Sequence, residues 1–382
     1  MKMDDDALKH AFLLLLAITI TAPGCGLAKT ARMTSQLIDE QAEHIFYSSG
    51  ATGMALVVIN DDQVVHRSFG ETKKGNNTLP GRDSLIRIAS ITKLMTSEVM
   101  VKLAREGKLK LTEPLKIYAP QGTQIPFYNV KQPITLLSLA THTSGLPREQ
   151  PGRPQQLSVF TWPNTTERWQ WLKKNRVTVP PGVSASYSNL AYDLLADALA
   201  KAAGKAYPQL LHEKITAPLG MKNTTLTPTP EQCARLLIGI NSSPCRHTVA
   251  AAGSGGIYST PEDMQRWMQR FLSSKDNRRK NRVPEQKLYF QRHQLVSATG
   301  MDVAGKVDAL GLGWVYMAPK NGFPGIIQKT GGGGGFITYV AMVPDKRVGV
   351  FVVVTRGRLS KFRNMSNGVN QLVAKLVNNT DW

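Results

Sequence analysis

The sequence predicts an α+β fold, an α/β sandwich in which the two ends of the chain build one antiparallel sheet with flanking helices. Residues 54–69 and 336–355 each contain two apolar runs joined by a short turn, which is the pattern of a β-hairpin. Between them, most periodic segments have helical spacing. We therefore expect a sheet region formed by residues 29–89 and 300–382, and an inserted, mostly helical region over residues 90–299.

A short apolar segment, residues 11–22, follows basic residues and precedes the small residues Gly26-Leu27-Ala28. The segment is too short to span a bilayer, and this arrangement is typical of a cleaved export signal. We predict a signal peptide over residues 1–28 and a single unit over residues 29–382. Lipidation of Cys25 stays open as an alternative, although the residue three positions before it is small where lipoprotein signals carry a large aliphatic residue.

The chain is strongly basic, with 47 Lys and Arg against 27 Asp and Glu and a net charge of +20. In an exported protein this charge predicts attraction to anionic envelope surfaces, either lipid headgroups or cell-wall polymer. Nucleic acid is disfavoured as a partner because of the export signal and because no nucleic-acid-binding motif is present. The histidines form no H-E-x-x-H pattern, so no metal is expected.

The first part of the sheet region is predicted to contain one helix and one hairpin. Residues 33–47 carry apolar positions at helical spacing, and residues 54–59 and 63–69 flank the turn Asn60-Asp61-Asp62. An apolar run at 85–89 then predicts a strand that leads into the next helix.

The helical region opens with Ser90-Ile91-Thr92-Lys93, where a helical pattern begins and continues to Gly107. Ser90 would sit at the helix N-terminus, where free backbone N–H groups favour negative charge, and Lys93 would lie one turn later on the same face. A serine becomes a nucleophile when a neighbour takes its proton, and an amine with a lowered pKa can do so. For this motif alone, an N-cap serine followed by a solvated lysine stays open.

Two further motifs lie at the ends of predicted elements. Tyr187-Ser188-Asn189 follows a Pro-Pro-Gly turn and opens a helical run at 190–203, and Lys329-Thr330-Gly331 ends an apolar run before four more glycines. Glycines beside a strand favour the close approach of a ligand. A phosphate-binding loop is disfavoured because no G-K-[ST] follows them.

Cys233 and Cys245 are separated by a polar loop. In an oxidising compartment we expect them to form a disulfide, worth about 3 kcal/mol on an entropic model. A metal site is the rival interpretation. Further on, Thr260 and Pro261 fit the N-cap and first position of a helix, and the basic stretch 275–282 fits an exposed loop.

The chain ends with the second predicted hairpin and a closing helix. Its strands are expected at 336–343 and 348–355, around the turn Pro344-Asp345-Lys346, and the helix at 359–377.

The order S-x-x-K, Y-x-N, K-T-G is that of the serine penicillin-recognising enzymes. T-H-T-S-G-L-P at 141–147 and P-L-G-M at 218–221 add to it. With tyrosine in the middle motif, the chain resembles the class C β-lactamase-like family, and within it the Gram-negative D-alanyl-D-alanine carboxypeptidase/endopeptidases. The resemblance implies the DD-peptidase/β-lactamase-like fold, a periplasmic serine hydrolase, no cofactor, and a structural role for His142 in place of that of a triad base.

The resemblance also implies an acyl-enzyme formed on Ser90. Ser90 would attack the carbonyl of a D-Ala-D-Ala peptide, and Lys93 and Tyr187 would handle its proton. Which of these two is the base stays open. Lys329 would hold Tyr187 and the substrate in a cationic field, and Asn189 would hydrogen-bond Lys93 and the substrate amide.

The binding residues follow from the same resemblance. The backbone N–H groups of Ser90 and Gly332 would form an oxyanion hole, and Thr330, with Gly331 beside it, would meet the substrate carboxylate. Arg356, just past the last predicted strand, is either a further partner of that carboxylate or a surface arginine.

The implied substrates are the stem peptides and cross-links of peptidoglycan. β-Lactams would acylate the same serine, with weak β-lactamase activity at most. A class C β-lactamase and a penicillin-binding module with little turnover stay open as alternatives, and the basic charge suits peripheral contact with the inner membrane.

Overall fold

The computed structural model describes residues 24–273 and 284–378. The predicted export signal, residues 1–28, therefore lies mainly outside the described residues. The predicted basic loop at 275–282 lies wholly outside them.

The described helices and strands are named here in chain order. The helices are α1 (Gly24–Ser49), α2 (Thr92–Arg105), α3 (Leu136–Ala140), α4 (Thr165–Lys174), α5 (Asn189–Ala203), α6 (Tyr207–Leu211), α7 (Pro230–Ala234), α8 (Pro261–Leu272) and α9 (Phe362–Asn378). The strands are β1 (Gly53–Asn60), β2 (Gln63–Gly70), β3 (Ile86–Arg87), β4 (Ala185–Ser186), β5 (Tyr258–Ser259), β6 (Leu288–Gln291), β7 (Ala298–Thr299), β8 (Ala309–Gly311), β9 (Val315–Met317), β10 (Ile326–Gly333), β11 (Phe336–Val343) and β12 (Val348–Thr355).

Eight of the described strands form one antiparallel sheet in the order β2-β1-β12-β11-β10-β9-β8-β6. Strand β1, near the start of the chain, pairs with β12, near its end, and Val57 lies opposite Phe351. Both predicted hairpins are present, as β1 with β2 and β11 with β12. The predicted fold class, an α+β sandwich whose sheet is built from both chain ends, is confirmed.

Helices cover both faces of the sheet. Helices α1 and α9 pack on one face, where Ile45 and Leu372 belong to an apolar core shared with β1, β11 and β12. On the other face, Val57 and Phe351 belong to the core of the helical region. Because both faces are covered, every residue of β11 and β12 is buried, and these strands are mostly apolar instead of alternating.

The segment around Ser90 differs from the prediction in two respects. The apolar run at 85–89 contains only the two-residue strand β3, which pairs with β5 in a small separate sheet. Ser90 itself lies in a 3₁₀ turn, Ala89–Ile91, and α2 begins after it at Thr92. Ala89 has a φ of 47°, in the left-handed region, so the backbone changes direction immediately before the serine.

Helices α5 and α8 begin within one residue of their predicted starts. Helix α1, predicted over 33–47, instead begins at Gly24, nine residues earlier. At α8, Thr260 Oγ1 accepts the backbone N–H of Asp263 at 3.2 Å, as its predicted N-cap position requires. The closing helix α9 begins at Phe362, three residues later than predicted. Within the described ranges, no helix is both long enough and apolar enough to cross a membrane.

Candidate active site

Two distant parts of the chain meet at Ser90. The 3₁₀ turn carries Ser90, the first turn of α2 carries Lys93, and Tyr187 lies just before α5. The Tyr187 hydroxyl donates a hydrogen bond to Ser90 Oγ at 2.5 Å, and Lys93 Nζ donates one to the same oxygen at 3.3 Å. Both side chains are therefore close enough to exchange a proton with the serine.

Strand β10, which carries the K-T-G motif, packs directly on the backbone at Ser90. A Cβ atom on Gly331 would lie 3.1 Å from Ser90 N and 2.2 Å from Thr338 Oγ1, so the approach requires glycine. Thr338, opposite Gly331 on β11, donates a hydrogen bond to Ile88 O at 3.0 Å. The K-T-G strand and residues 85–91, called the serine segment below, are thus joined by direct contacts.

Lys93 is buried and uses all three of its ammonium donors. Its Nζ donates to Asn189 Oδ1 and to Ser254 O, each at 2.6 Å, in addition to Ser90 Oγ. Burial lowers the pKa of Lys93 to about 7, although the nearby Asp193 carboxylate opposes this shift. A substantial share of the amine is therefore neutral near pH 7, and the neutral amine is the form that accepts a proton.

Asp193, four residues after Asn189 on α5, fixes the carbonyl that Lys93 contacts. Its Oδ1 accepts the backbone N–H groups of Gly253 at 3.1 Å and Ser254 at 2.9 Å, and its Oδ2 accepts the Ser254 hydroxyl at 2.9 Å. Burial raises the pKa of this carboxyl to about 6. Neither Asp193 nor Ser254 was predicted from the sequence. Asp193 could have been found from its spacing of four from Asn189, which places both residues on one face of a helix. No sequence signal pointed to Ser254.

Three cations face the ring of Tyr187. Lys93 Nζ lies 4.7 Å from the ring centroid, Lys329 Nζ 5.0 Å and the Arg148 guanidinium carbon 4.7 Å. Burial lowers the pKa of Lys329 to about 8, and Lys93 and Arg148 add to the shift. Negative charge that develops on the tyrosine oxygen would be stabilised by these cations.

His142 lies against the same ring, with its centroid 4.6 Å from that of Tyr187. Its Nδ1 accepts the backbone N–H of Ser188 at 3.1 Å. Burial, reinforced by Lys93 and Lys329, holds the pKa of His142 well below its usual value. A neutral imidazole that holds the backbone beside Tyr187 fits the structural role implied by the resemblance, which stays a prediction.

Arg148 and Glu149 are exposed residues at the rim of the site, and neither was predicted from the sequence. Glu149 Oε1 accepts a hydrogen bond from Asn189 Nδ2, and Arg148 O accepts the backbone N–H of Asn189 at 2.8 Å. One amide group therefore joins the Glu149 carboxylate to Lys93. The position of both residues directly after the T-H-T-S-G-L-P segment was the available signal.

The predicted binding residues lie along β10 and at the end of β12. Lys329 Nζ donates to Thr330 O at 3.1 Å, and Gly332 continues the same strand. Arg356 lies one residue beyond β12 with an exposed side chain, and its backbone N–H donates to Gly335 O at 2.8 Å. The K-T-G strand therefore contacts the serine segment. Arg356 instead contacts Gly335, in the turn that follows β10.

Cys233 and Cys245 form a disulfide, with their Cα atoms 5.7 Å apart. It closes a loop over residues 233–245. Within the described parts of the chain, no group of three or more His, Cys, Asp and Glu side chains is arranged to hold a metal ion.

Comparisons with known proteins agree with this geometry. The family model described as Beta-lactamase matches residues 34–375. The D-alanyl-D-alanine-carboxypeptidase/endopeptidase AmpH of Escherichia coli (strain K12) is 60% identical over 347 residues, which are 90% of each chain. A protein named Beta-lactamase from the same organism is 23% identical over 90% of this chain and 94% of its own.

Solved structures give the same result. The structure of a Beta-lactamase/D-alanine Carboxypeptidase from Yersinia pestis superposes with a TM-score of 0.88 and 71% identity, covering 91% of this chain and 99% of its own. A protein with the same description from Pseudomonas syringae has a TM-score of 0.70 at 17% identity, over 89% of this chain and 98% of its own. At that identity the likeness supports the fold alone.

Proposed function

The chain belongs to the beta-lactamase family, and we propose that within it the protein is a serine D-alanyl-D-alanine carboxypeptidase/endopeptidase. The family predicted from the three motifs is confirmed. One observation carries the proposal. A serine hydroxyl is contacted by a tyrosine hydroxyl and a buried amine, in a chain 60% identical to a peptidase of that name.

The proposed first step is acylation. Ser90 Oγ attacks the carbonyl carbon of the bond between two D-alanines, so that a C–O bond forms as the C–N bond breaks. The serine proton passes to Lys93, and the Tyr187 hydroxyl gives its proton to the departing amine and recovers one from Lys93. Water then attacks the ester and releases the shortened peptide. In a cross-link, the departing amine belongs to the diaminopimelate of the neighbouring peptide.

The assignment of Lys93 as the base rests on its burial. With a pKa of about 7, the amine is partly neutral at the working pH, and its contact with Ser90 Oγ reverses direction when it loses its proton. The opposite assignment, a tyrosinate base, uses the same contacts, with Lys93 and Lys329 stabilising the negative oxygen.

Substrate binding is proposed to follow the motif residues. The N–H groups of Ser90 and Gly332 would stabilise the oxyanion, and Thr330 would meet the terminal carboxylate, with Lys329 close to both. The contact of Gly331 with the serine backbone supports this arrangement because it brings β10 next to Ser90. The exposed Arg356 is proposed as an outer partner of the carboxylate, with a surface arginine as its alternative.

A β-lactamase is the principal rival, because both reactions would use the same residues. Similarity to AmpH supports the peptidase, and we propose that β-lactams acylate Ser90 and are released slowly. The other alternative, a penicillin-binding module with little turnover, differs from the proposed peptidase only in the rate at which its acyl-enzyme is hydrolysed.

The proposed location is the periplasm, with peripheral attachment to the inner membrane. The predicted signal peptide at 1–28 and the net charge of +20 support this.

The test is digestion of purified muropeptides followed by mass spectrometry, with wild type and Ser90→Ala side by side. Release of D-alanine from pentapeptides and cleavage of D-alanyl-diaminopimelate cross-links are expected from the wild type alone. Labelled penicillin should form an adduct that Ser90→Ala lacks. Efficient cephalosporin hydrolysis without release of D-alanine would make the protein a β-lactamase instead.

A further inference from the structure

The loop closed by the disulfide, residues 233–245, lies between the two backbone segments of the site. Along one edge it is joined to Leu85, at the head of the serine segment. The Leu85 backbone N–H donates to Arg235 O at 2.9 Å, and the Leu237 N–H donates to Leu85 O at 3.0 Å. This disulfide loop therefore runs beside the chain that leads to Ser90.

Its other edge packs on the turn Gly333-Gly334-Gly335, called the glycine turn below, which follows the K-T-G motif. The Ser243 backbone N–H donates to Gly334 O at 3.4 Å. A Cβ on Gly335 would lie 2.2 Å from Ser242 Oγ, so loop and turn are in direct contact. The disulfide loop thus contacts both the serine segment and the end of β10.

Arg87, three residues before Ser90, links these parts from inside the protein. Its side chain is only 1% exposed, and its Nη2 donates to Ser243 O at 3.1 Å and to Pro244 O at 2.7 Å. The guanidinium lies 4.5 Å from the ring centroid of Tyr258. A Cβ on Gly334 would lie 2.7 Å from Arg87 Cδ, so the same side chain also packs on the glycine turn.

The contacts of Arg87 satisfy only part of its buried guanidinium group. Among the described residues no carboxylate pairs with Arg87, and its Nε and Nη1 have no hydrogen-bond partner. Burying a cation in this way opposes folding, and an apolar side chain of similar volume would oppose it less. The two carbonyl groups that Arg87 binds belong to the disulfide loop, and the Tyr258 ring belongs to β5. The backbone of Arg87 itself continues directly to Ser90.

We propose that Arg87 is a positioning residue for acylation and that the Cys233–Cys245 disulfide holds the two carbonyls it binds. Together they set the distance between the Ser90 backbone and the K-T-G strand, on which the oxyanion site of the proposed function depends. Fast acylation of Ser90 then depends on the oxidised loop. The inference rests on the proposed function, because the step it concerns is acylation of Ser90.

The test measures the acylation rate constant per active site. Fluorescent penicillin is used both to titrate active sites and to follow single-turnover acylation in wild type, Arg87→Met, Arg87→Lys and Cys233→Ser/Cys245→Ser. In Arg87→Met and the double variant we expect nearly one titratable site per chain and a rate constant lower by about 10- to 100-fold. Arg87→Lys, which keeps the cation, should recover part of the rate.

Two controls separate positioning from folding. Leu372→Ala leaves a cavity in the core on the far face of the sheet, so it should lower stability and leave the rate per titrated site unchanged. Wild type treated with dithiothreitol should slow as the double variant does and recover on reoxidation, which tests the loop without any substitution.

Unchanged rate constants in Arg87→Met and in the reduced wild type would overturn the inference. The inference would also be overturned if the variants had fewer titratable sites but an unchanged rate constant per site, because a purely structural role predicts that result. A wild-type protein that forms no adduct at all would overturn the proposed function itself, which is a distinguishable outcome.

Discussion

The pH dependence of acylation gives the sharpest test of Lys93 as the base. The rate per site should rise with pH as Lys93 loses its proton, near its pKa of about 7. It should fall again as Lys329 is neutralised, near its pKa of about 8. The expected profile is a narrow bell whose acid limb belongs to Lys93.

Glu149→Gln should move that acid limb to lower pH. The Glu149 carboxylate raises the pKa of Lys93, and the two charges are separated by the side-chain amide of Asn189. At a separation of roughly 7 Å, their attraction is about 0.6 kcal/mol in water and about 2.4 kcal/mol at an effective dielectric constant of about 20. Because Glu149 is exposed, the value near the water limit applies, so we expect a shift of about 0.5 pH unit.

A matched variant of opposite sign provides the control. Arg148→Gln removes a cation that lowers the pKa of both Lys93 and Lys329, so both limbs should move to higher pH. The measurement is stopped-flow acylation by a chromogenic cephalosporin across the pH range, at low ionic strength. If the acid limb stays in place in both variants, or moves in the same direction in both, Lys93 is not the group that titrates.

Four further outcomes are expected. Tyr187→Phe should lower the rate of D-alanine release by about 10²- to 10⁴-fold, while Ser90 still binds penicillin. Full activity in this variant would show that the tyrosine takes no part in the chemistry. Gly331→Ala, whose Cβ would lie 2.2 Å from Thr338 Oγ1, should push β10 away and slow acylation by about 100-fold, and a normal single-turnover rate would contradict this. Lys93→Met should raise the free energy of unfolding in urea at neutral pH by a few kcal/mol. Between pH 7 and the ordinary pKa of lysine, Lys93 binds more protons in the unfolded chain than in the folded one. The free energy of unfolding of the wild type should therefore also rise with pH across that range. A free energy of unfolding that does not change with pH there would contradict the prediction. Finally, the net charge of +20 predicts that high salt releases the protein from membranes, because the screening length is only about 3 Å at 1 M. A protein that stays bound until detergent is added would point to an uncleaved signal or a lipid.

Regular patterns allowed much of the fold to be predicted. The strands 336–343 and 348–355 agree with β11 and β12 because each is a mostly apolar run, and the turn Pro344-Asp345-Lys346 separates them. Local signals also fixed the start of α8, where Thr260 caps the helix. The S-x-x-K, Y-x-N and K-T-G residues lie close together in the structure because the turn before α2, the start of α5 and strand β10 pack against one another. The K-T-G residues lie within β10, although the sequence placed them at the end of an apolar run.

Other features depend on contacts that no local pattern encodes. The left-handed φ of Ala89 carries no sequence signal, because alanine normally favours helix there. Ser254 enters the site through Asp193, 61 residues away, and Arg87 finds its carbonyl partners more than 150 residues later. Such pairs require the tertiary fold to be known first.

The pairing of β1 with β12 also governs when this molecule can complete its fold. Val57 and Phe351 lie opposite each other, so the centre of the sheet closes only after nearly the whole chain is available. Closing so long a loop is slow, because its entropy cost precedes the contacts that compensate for it. Strand β10 has β11 and β12 between it and the N-terminal hairpin, so the K-T-G residues should be among the last to reach the serine. A chain cut short before β12 would therefore keep the Ser90 motif and lack the central strand that joins β11 and β10 to the N-terminal hairpin, so we expect partial products to lack a complete site.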